Sequence, residues 1–233
     1  MKTLTIIAKW LLVICLPALL LTASIALAVN SAWLYEYGFQ KYGVSQTTGL
    51  SDAELHKAAV GLIAYFNSGE EDIDLVVEKD GRPFVLFNER EVAHLRDVKG
   101  LFRLDYTVLL WTFVYGLVYT LWTVLWRKGV FRRYLARGLA WGGGLTIALL
   151  LAVGIIWLLF GFDRLFWQFH VFSFANDFWQ LDPTRDYLIR LFPQGFWFDV
   201  TVFIVLCIAF SAVVLGGVGG YLNRKLYGKS TIS

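Results

Sequence analysis

The chain has 233 residues, of which 58% are hydrophobic and 17% are aromatic, and its mean hydropathy is +0.59. An ordinary soluble domain is less apolar than this, so the composition indicates an integral membrane protein. The net charge is +3, and we expect no nucleic-acid partner.

Four apolar stretches reach the length of about 20 residues that a helix needs to cross a bilayer. They are approximately Ile6–Val29, Tyr106–Trp126, Leu139–Phe160 and Phe198–Leu222. We therefore expect a mainly α membrane protein with a bundle of four transmembrane helices and a small α+β extracytoplasmic cap. The predicted parts are a first transmembrane helix in 1–29, the cap in 30–105, and the rest of the membrane domain in 106–233, including an aromatic outer segment in 161–197.

The first apolar stretch also resembles a signal peptide, because Lys2 and Lys9 lie near its start and Ala26-Leu27-Ala28 resembles a cleavage site. Its apolar run of about 20 residues is longer than the roughly 7–15 residues typical of a signal peptide. Removal would also leave an odd number of spans. We expect this stretch to be retained as a membrane anchor.

The charged residues are sorted between the segments that flank the apolar stretches. Residues 1–9, 127–137 and 223–233 hold two, five and three Lys or Arg and no acidic residue. Residues 30–105 and 161–199 hold eleven basic and all eighteen acidic residues. Because loops rich in Lys and Arg stay in the cytoplasm, both termini and the 127–137 segment are predicted to be cytoplasmic. The cap and the aromatic segment then lie together on the outer side.

The cap starts with signals for a helix. Ser51 and Glu54 have the spacing of a capping box, in which each side chain satisfies a backbone N–H group at the start of a helix. Apolar residues at helical spacing follow, and Asn67-Ser68-Gly69 is typical of a helix end. We expect a helix between these two signals.

A hairpin and a second helix are predicted after it. Two β-rich runs, Ile73–Val77 and Pro83–Phe87, flank Lys79-Asp80-Gly81, in which Asp-Gly is a hairpin signal. A second capping box, formed by Asn88 and Glu91, starts a helix that leads to the second apolar stretch.

Small and basic residues mark the later spans. Residues 127–137 are predicted to form a tight cytoplasmic turn that contacts phospholipid headgroups. Glycine runs at 142–144 and 216–220 predict close helix packing, with Gly216 and Gly220 in GxxxG spacing. Cys15 and Cys207 lie within predicted spans, where we interpret them as small apolar residues.

The sequence contains no GxSxG or SxxK pattern of a serine nucleophile and no HExxH zinc motif, and we expect no metal. Ser173 lies three residues after His170, which is a weak sign of a nucleophile. The remaining candidates are the three histidines, because imidazole can act as acid or base near pH 7. All three fall in the predicted outer segments.

The histidines differ in their surroundings. His56 lies near the start of the capped helix and is predicted to be a surface residue. His94 has Glu91 and Asp97 three residues away on either side, so a carboxylate could orient its ring. His170 lies in aromatic sequence shortly after the third span, where a polar group at membrane depth is a functional candidate.

Polar and aromatic residues accompany His170. The polar ones either support the site or anchor the segment at the membrane interface; they are Asn176, Asp177, Arg185, Asp186, Tyr187 and Arg190. Arg185 and Arg190 could hold a carbonyl or phosphate oxygen, or form structural ion pairs with Asp182 or Asp186. The aromatic residues suit the membrane–water interface.

Two motifs carry a family resemblance. One runs from His170 through Asn176-Asp177 to Pro193, and the other from Asn88 through His94 to Lys99. Together with the four spans and the outer cap, they resemble the bacterial membrane-protein family that includes lipoprotein intramolecular transacylase, Lit.

The resemblance implies an acyl shift within one diacylated bacterial lipoprotein. The sn-2 acyl chain of the S-diacylglyceryl group would move to the α-amine of the N-terminal cysteine, giving a lyso-form lipoprotein. It implies His94 and His170 as catalytic residues, no cofactor, and a site at the outer face of the bacterial cell membrane, in contact with phospholipid.

The implied reaction suits these residues. The α-amine must lose a proton before it attacks the ester, so one histidine would act as base. The other would bind the oxyanion and protonate the departing glyceryl oxygen, and no covalent acyl-enzyme is expected. Which histidine has which role is left open. The acyl chains and the exclusion of water are assigned to the aromatic stretch, with Phe169, Phe172, Phe174 and Trp179 as predicted lining.

Two other interpretations stay open at this point. One is an N-acyltransferase that takes its acyl chain from a phospholipid and gives a product with three chains. The other is a non-catalytic membrane protein that binds lipids or lipoproteins and tolerates replacement of both histidines.

Overall fold

The computed structural model describes residues 2–126 and 130–228. In chain order the elements are α1 (Lys2–Val29), α2 (Ala32–Lys41), α3 (Val44–Thr48), α4 (Asp52–Asn67), β1 (Val76–Lys79), β2 (Arg82–Val85), α5 (Glu89–Leu121) with a π-helical end (Trp122–Trp126), α6 (Val130–Phe160), α7 (Phe162–Ser173), α8 (Tyr187–Leu191) and α9 (Gln194–Gly228). The mainly helical fold class with one small sheet is confirmed.

Four of these helices are long and apolar enough to cross a membrane: α1, α5, α6 and α9. They contain the four predicted apolar stretches and extend beyond them. α5 already begins at Glu89, so the charged segment before Tyr106 is helical too. The prediction of a tight turn over 127–137 is wrong from residue 130 onward, because that part of the segment, with Arg132 and Arg137, belongs to α6. Residues 127–129 lie outside the described part of the chain.

The chain forms two compact units. The first comprises residues 1–25, 105–158 and 204–233, and the second comprises residues 26–104 and 159–203. The division into three parts that the sequence suggests stays a prediction.

Glycine contacts hold helices of the first unit close together. A Cβ atom on Gly143 would lie 2.8 Å from the Cα atom of Gly216, and one on Gly219 would lie 2.6 Å from the carbonyl oxygen of Ala136. Both positions therefore require glycine, because any side chain would collide with backbone atoms. The predicted pair was Gly216 and Gly220, but Gly220 has no such neighbour, so Gly219 takes its place.

The second unit has a core built from the cap helices, the hairpin and α8. Its most buried apolar side chains include Leu50, Leu62, Val77, Leu86 and Leu191. β1 and β2 pair antiparallel, and Asp80 and Gly81 have positive φ angles of 52° and 74°, as a two-residue hairpin turn requires. The hairpin is thus confirmed, although each strand is displaced from its predicted range.

Both predicted capping boxes lie at helix starts, but they differ in completeness. At α4 the Ser51 hydroxyl accepts from the Glu54 N–H at 3.3 Å, whereas the Glu54 carboxylate accepts from the N–H of Glu78. At α5 both halves are formed, since Asn88 Oδ1 accepts from the Glu91 N–H and Glu91 Oε2 accepts from the Asn88 N–H. The start of the helix that carries His94 is therefore fixed by its own sequence.

Candidate active site

His94 lies on the charged first part of α5, ahead of the apolar stretch that begins at Tyr106. Its side chain is buried, with 7% of the residue exposed. The Nδ1 atom of this ring is buried and has no hydrogen-bond partner in the described structure. Phe174 packs edge-on against the ring, with centroids 5.0 Å apart.

His170 lies on α7, the helix that follows α6 after the single residue Gly161. Its Nδ1 atom lies 2.7 Å from the carbonyl oxygen of Phe166. A carbonyl oxygen only accepts, so Nδ1 carries the proton and Nε2 presents a lone pair. Trp179 lies beside the imidazole, with ring centroids 5.1 Å apart and the planes tilted by 37°.

The structure brings these two histidines together. Their ring centroids are 6.2 Å apart and the planes are tilted by 32°. His94 comes from the segment before the second span and His170 from the segment after the third, so the pair is formed by the tertiary fold. A reacting group between the rings can contact both.

Both histidines line one cavity of about 560 Å³. Most of its wall is apolar and comes from the end of α1, from α2, α4, α5, α7 and α8, and from the start of α9; examples are Leu62, Phe66, Leu95, Phe102, Phe166, Trp167, Trp179, Phe192 and Trp197. Besides the histidines, its polar side chains include Asp163, Gln180 and Gln194. A cavity of this size with few polar groups suits an apolar ligand.

Burial favours the neutral form of both imidazoles. Burial, and to a lesser extent the nearby His170, lower the pKa of His94 to about 4, while Asp97 opposes the change. Burial also lowers the pKa of His170, against the hydrogen bond to Phe166, which raises it. At neutral pH the pair is therefore uncharged and able to accept a proton.

The two carboxylates next to His94 in sequence have other partners. Glu91 is buried and accepts from the backbone N–H of Asn88 at 2.8 Å and from that of Leu188 at 2.6 Å. Asp97 accepts from Nδ2 of Asn176 at 2.8 Å. Glu91 thus connects α5 to the start of α8, and Asp97 connects α5 to the loop after α7. The expectation that one of them hydrogen-bonds the His94 ring does not hold in the structure.

Asp186 belongs to the same set of connections. It is buried, accepts from Asn88 Nδ2 at 2.9 Å, and accepts from the N–H of Asp182 at 2.7 Å. Asp177 contributes its carbonyl oxygen, which accepts from the Arg90 guanidinium at 2.5 Å. These contacts hold the segment after α7 against the start of α5.

The remaining predicted supporting residues also lie away from the cavity wall. Arg185 is exposed and lies 3.7 Å from Asp186 and 3.9 Å from Asp182, as in the ion-pair alternative. Arg190 stacks on the ring of Tyr187 at 3.8 Å, and the Tyr187 hydroxyl accepts from Lys79. None of the predicted supporting residues is among the described residues that line the cavity.

The predicted acyl-chain lining is only partly where it was expected. Trp179 lines the cavity, and Phe174 is buried against His94. Phe169 and Phe172 do not line it: they are 52% and 81% exposed. The reason is helical periodicity, because a helix that places His170 on the cavity side turns Phe169 and Phe172 away from it.

Other residues of the site were not singled out from the sequence. Phe166 supplies both the carbonyl that orients His170 and a ring 4.4 Å from it. Its position four residues before His170, on the same helix face, was an available signal. Asn88 was recognised as a cap, but its contact with Asp186 depends on tertiary structure.

His56, as predicted, is a surface residue, and it lies 2.5 Å from Glu36. Among residues 2–126 and 130–228, no group of three or more metal-binding side chains is close enough to hold an ion.

Comparisons with known proteins agree with this architecture. A family model described as lipoprotein intramolecular transacylase Lit matches residues 10–197. An uncharacterized protein of Aquifex aeolicus (strain VF5) is 30% identical over 218 residues, which cover 92% of this chain and 94% of that protein.

Solved structures are similar in fold. The in meso structure of the membrane integral Lit from Bacillus cereus has a TM-score of 0.79 at 18% identity, with both chains covered completely. A variant of that protein with one histidine replaced by alanine gives 0.72 at 18% identity, covering 100% of this chain and 97% of the other. Since the family model spans most of the sequence, this chain belongs to the lipoprotein intramolecular transacylase family, Lit.

Proposed function

We propose that this chain moves the sn-2 acyl chain of a lipoprotein's S-diacylglyceryl group to the α-amine of the N-terminal cysteine. The observation that carries the proposal is the pair of histidine rings, 6.2 Å apart, on the wall of a largely apolar cavity. An ester at the end of an acyl chain needs such a combination, with proton-transfer groups beside a space for hydrocarbon.

In this proposal His170 is the general base. Its Nδ1–H is held by the Phe166 carbonyl, so Nε2 is free to accept a proton. The neutral form of the α-amine, which has already lost its ammonium proton to solvent, attacks the ester carbonyl carbon. Nε2 of His170 takes one N–H proton as the carbon–nitrogen bond forms, and the carbonyl oxygen becomes an oxyanion. When the intermediate collapses, the bond from that carbon to the glyceryl oxygen breaks. The imidazolium of His170 returns its proton to this oxygen, leaving an amide and a free hydroxyl.

His94 is assigned to the oxyanion. The Nδ1 atom of its ring is buried and has no hydrogen-bond partner. Buried N–H groups without a partner are rarer in proteins than buried acceptor atoms without one, so we assign Nδ1 the lone pair. The proton then resides on Nε2, which can donate to the oxyanion while the ring stays neutral. The lowered pKa of His94 supports this assignment, because a neutral ring at pH 7 needs no counter-charge.

The proposal needs no acyl-enzyme and no external nucleophile. Amine and ester belong to one substrate molecule, so correct orientation in the cavity supplies a large part of the acceleration. The aromatic wall excludes water, which competes with the amine for the ester. The bacterial cell membrane is the proposed location, with phospholipid around the spans.

The decisive experiment is mass spectrometry of lipoprotein N-termini in bacteria that lack this activity and express His94→Ala or His170→Ala. We expect the wild-type chain to produce lyso-form lipoprotein and either variant to leave the diacyl form unchanged, with normal amounts of protein in the membrane. Full activity of a variant would remove that histidine from the mechanism. A three-chain product that depends on added phospholipid would instead support an N-acyltransferase.

The proposed orientation has both termini in the cytoplasm and the histidines at the outer face. It rests on the excess of Lys and Arg in residues 1–9, 127–137 and 223–233. A reporter that becomes fluorescent only in the cytoplasm, fused to the C-terminus, should be bright. The same reporter placed after residue 69 should be dark.

A further inference from the structure

Helix α7 has one face towards the cavity and an apolar face that points away from it. Asp163, Phe166 and His170 follow the spacing i, i+3, i+7 and line the cavity. Leu165, Phe169 and Phe172 follow the spacing i, i+4, i+7 and therefore form another face of the same helix. We call these three side chains the outward face of α7.

The outward face has little protein cover. Phe172 is 81% exposed, Phe169 is 52% exposed, and Leu165 is half-buried. Arg164 and Gln168 lie between the outward face and the cavity side of the helix. An apolar face with a polar border is the pattern of a helix that lies in the plane of a membrane surface.

The end of the preceding span argues for lipid as the partner. The membrane-spanning helix α6 ends at Phe160, and only Gly161, with φ of 79°, separates it from α7. Phe160 is itself an exposed apolar residue, and the Arg164 guanidinium lies over its ring at 5.4 Å. Arginine often extends along apolar surface in this way to keep its charge in the headgroup region. α7 thus begins where the chain leaves the hydrocarbon layer.

We propose that the outward face of α7 inserts into the phospholipid leaflet at the boundary between acyl chains and headgroups. Phe169 and Phe172 enter the acyl-chain region, and His170 stays on the cavity side of the helix. The bilayer then sets the depth of His170 relative to the ester bond of a membrane-embedded substrate. This last consequence rests on the proposed transacylase function, whereas the insertion itself does not.

Insertion is tested by spin labels on the full chain in vesicles of phosphatidylethanolamine and phosphatidylglycerol. The background carries Cys15→Ala and Cys207→Ala, and single cysteines replace Phe172, Leu151 or Val85. Leu151 is an exposed residue of the spanning helix α6, and Val85 is an exposed residue of the hairpin, so they serve as lipid and water controls. Collision with oxygen reports the hydrocarbon region, and collision with a water-soluble nickel chelate reports the aqueous phase.

We expect the Phe172→Cys label to resemble the Leu151→Cys label, with more oxygen than nickel contact. Nickel contact like that of Val85→Cys would overturn the proposal by placing the face in water. Protection from both reagents would overturn it in favour of contact with protein, such as a second copy of the chain.

The catalytic consequence is tested with a double variant, Phe169→Ser with Phe172→Ser, and Val85→Ser as the control. The substrate is a synthetic diacylglyceryl-cysteine lipopeptide, presented either in vesicles or in detergent micelles. We expect the double variant to be slower on the order of tenfold in vesicles, because apolar burial is lost. In micelles, which adapt to the protein surface, the double variant should react at the same rate as the wild type.

Equal losses in vesicles and micelles would mean that these rings support the fold or the chemistry, against the depth role. Unchanged activity of the double variant in both vesicles and micelles would also overturn the depth role. If the wild-type chain has no transacylase activity in either medium, the proposed function fails, while the spin-label result still decides the insertion.

Discussion

The rings of His94 and His170 lie 6.2 Å apart, yet they are positioned by different kinds of interaction. Around His94, the side chains of Glu91 and Asp97 are hydrogen-bonded to other segments, and the histidine is 7% exposed. Around His170, the contacts are mostly between rings, with one hydrogen bond to the carbonyl of Phe166. One histidine is thus fixed by a polar framework, and the other lies on a helix whose residues are all exposed or only half-buried.

This difference suits the two proposed roles. A group that donates to an oxyanion must have a fixed position, because electrostatic stabilisation depends on preorganised donors. A base that takes a proton and later returns it benefits from a ring whose Nε2 faces the substrate. The aromatic surroundings of His170 also exclude water from that step.

The largest effect is expected from changing the two histidines to glutamine. His170→Gln should lower the rate of lyso-form production by about 10²–10⁴-fold, because glutamine cannot act as a base. His94→Gln should lose much less, about tenfold, because the glutamine amide still donates to the oxyanion. Single-turnover rates on a diacyl lipopeptide measure both. His56→Gln is the control, and its rate should equal that of the wild type. A larger loss of rate for His94→Gln than for His170→Gln would reverse the assignment of base and oxyanion donor.

The polar framework around His94 can be broken at Glu91. Glu91→Ala leaves the N–H groups of Asn88 and Leu188 without their acceptor, which should lower the free energy of unfolding by roughly 3 kcal/mol. Thermal unfolding in detergent measures the change. Glu89→Ala is the matched control, since Glu89 is exposed in the same helical turn. Equal midpoints for the two variants would show that the framework does not stabilise α5.

The pH dependence of stability should reveal the burial of His94. Its pKa is about 4 in the folded protein, below the ordinary 6.5, so the unfolded chain binds more protons between these values. The free energy of unfolding therefore rises with pH over this window, by at most about 3 kcal/mol from this group. Denaturation curves between pH 4 and 7 measure it. His94→Gln should flatten the curve, and an equally steep curve would assign the effect to other groups.

Local sequence is sufficient to predict some features of the fold and of the site, but not others. The capping box of Asn88 and Glu91, the Asp80-Gly81 turn and the four spans depend on neighbours in the chain, and all are present. The partners of Asp97 and Asp186 come from distant segments, so spacing alone could not identify them.

Aromatic content alone predicts Phe169 and Phe172 in the cavity wall, whereas the period of the helix places both outside it. Position on the helix decides which way each ring points. The pairing of His94 with His170 followed from the family resemblance, since nothing local connects residues so far apart in sequence.

The smallest effect is expected from removing the hydrogen bond that Asn176, in the loop after α7, donates to Asp97 on α5. Asn176→Ala should lower the free energy of unfolding by about 1 kcal/mol. It should also reduce kcat a few-fold without changing KM, because the loop after α7 loses its connection to α5. A double-mutant cycle with Asp97→Ala measures the coupling of the two side chains directly. Strictly additive losses would mean that this hydrogen bond does not help to position His170. The ring contacts and the bond to Phe166 would then hold it, and the contrast between the two histidines would be sharper still.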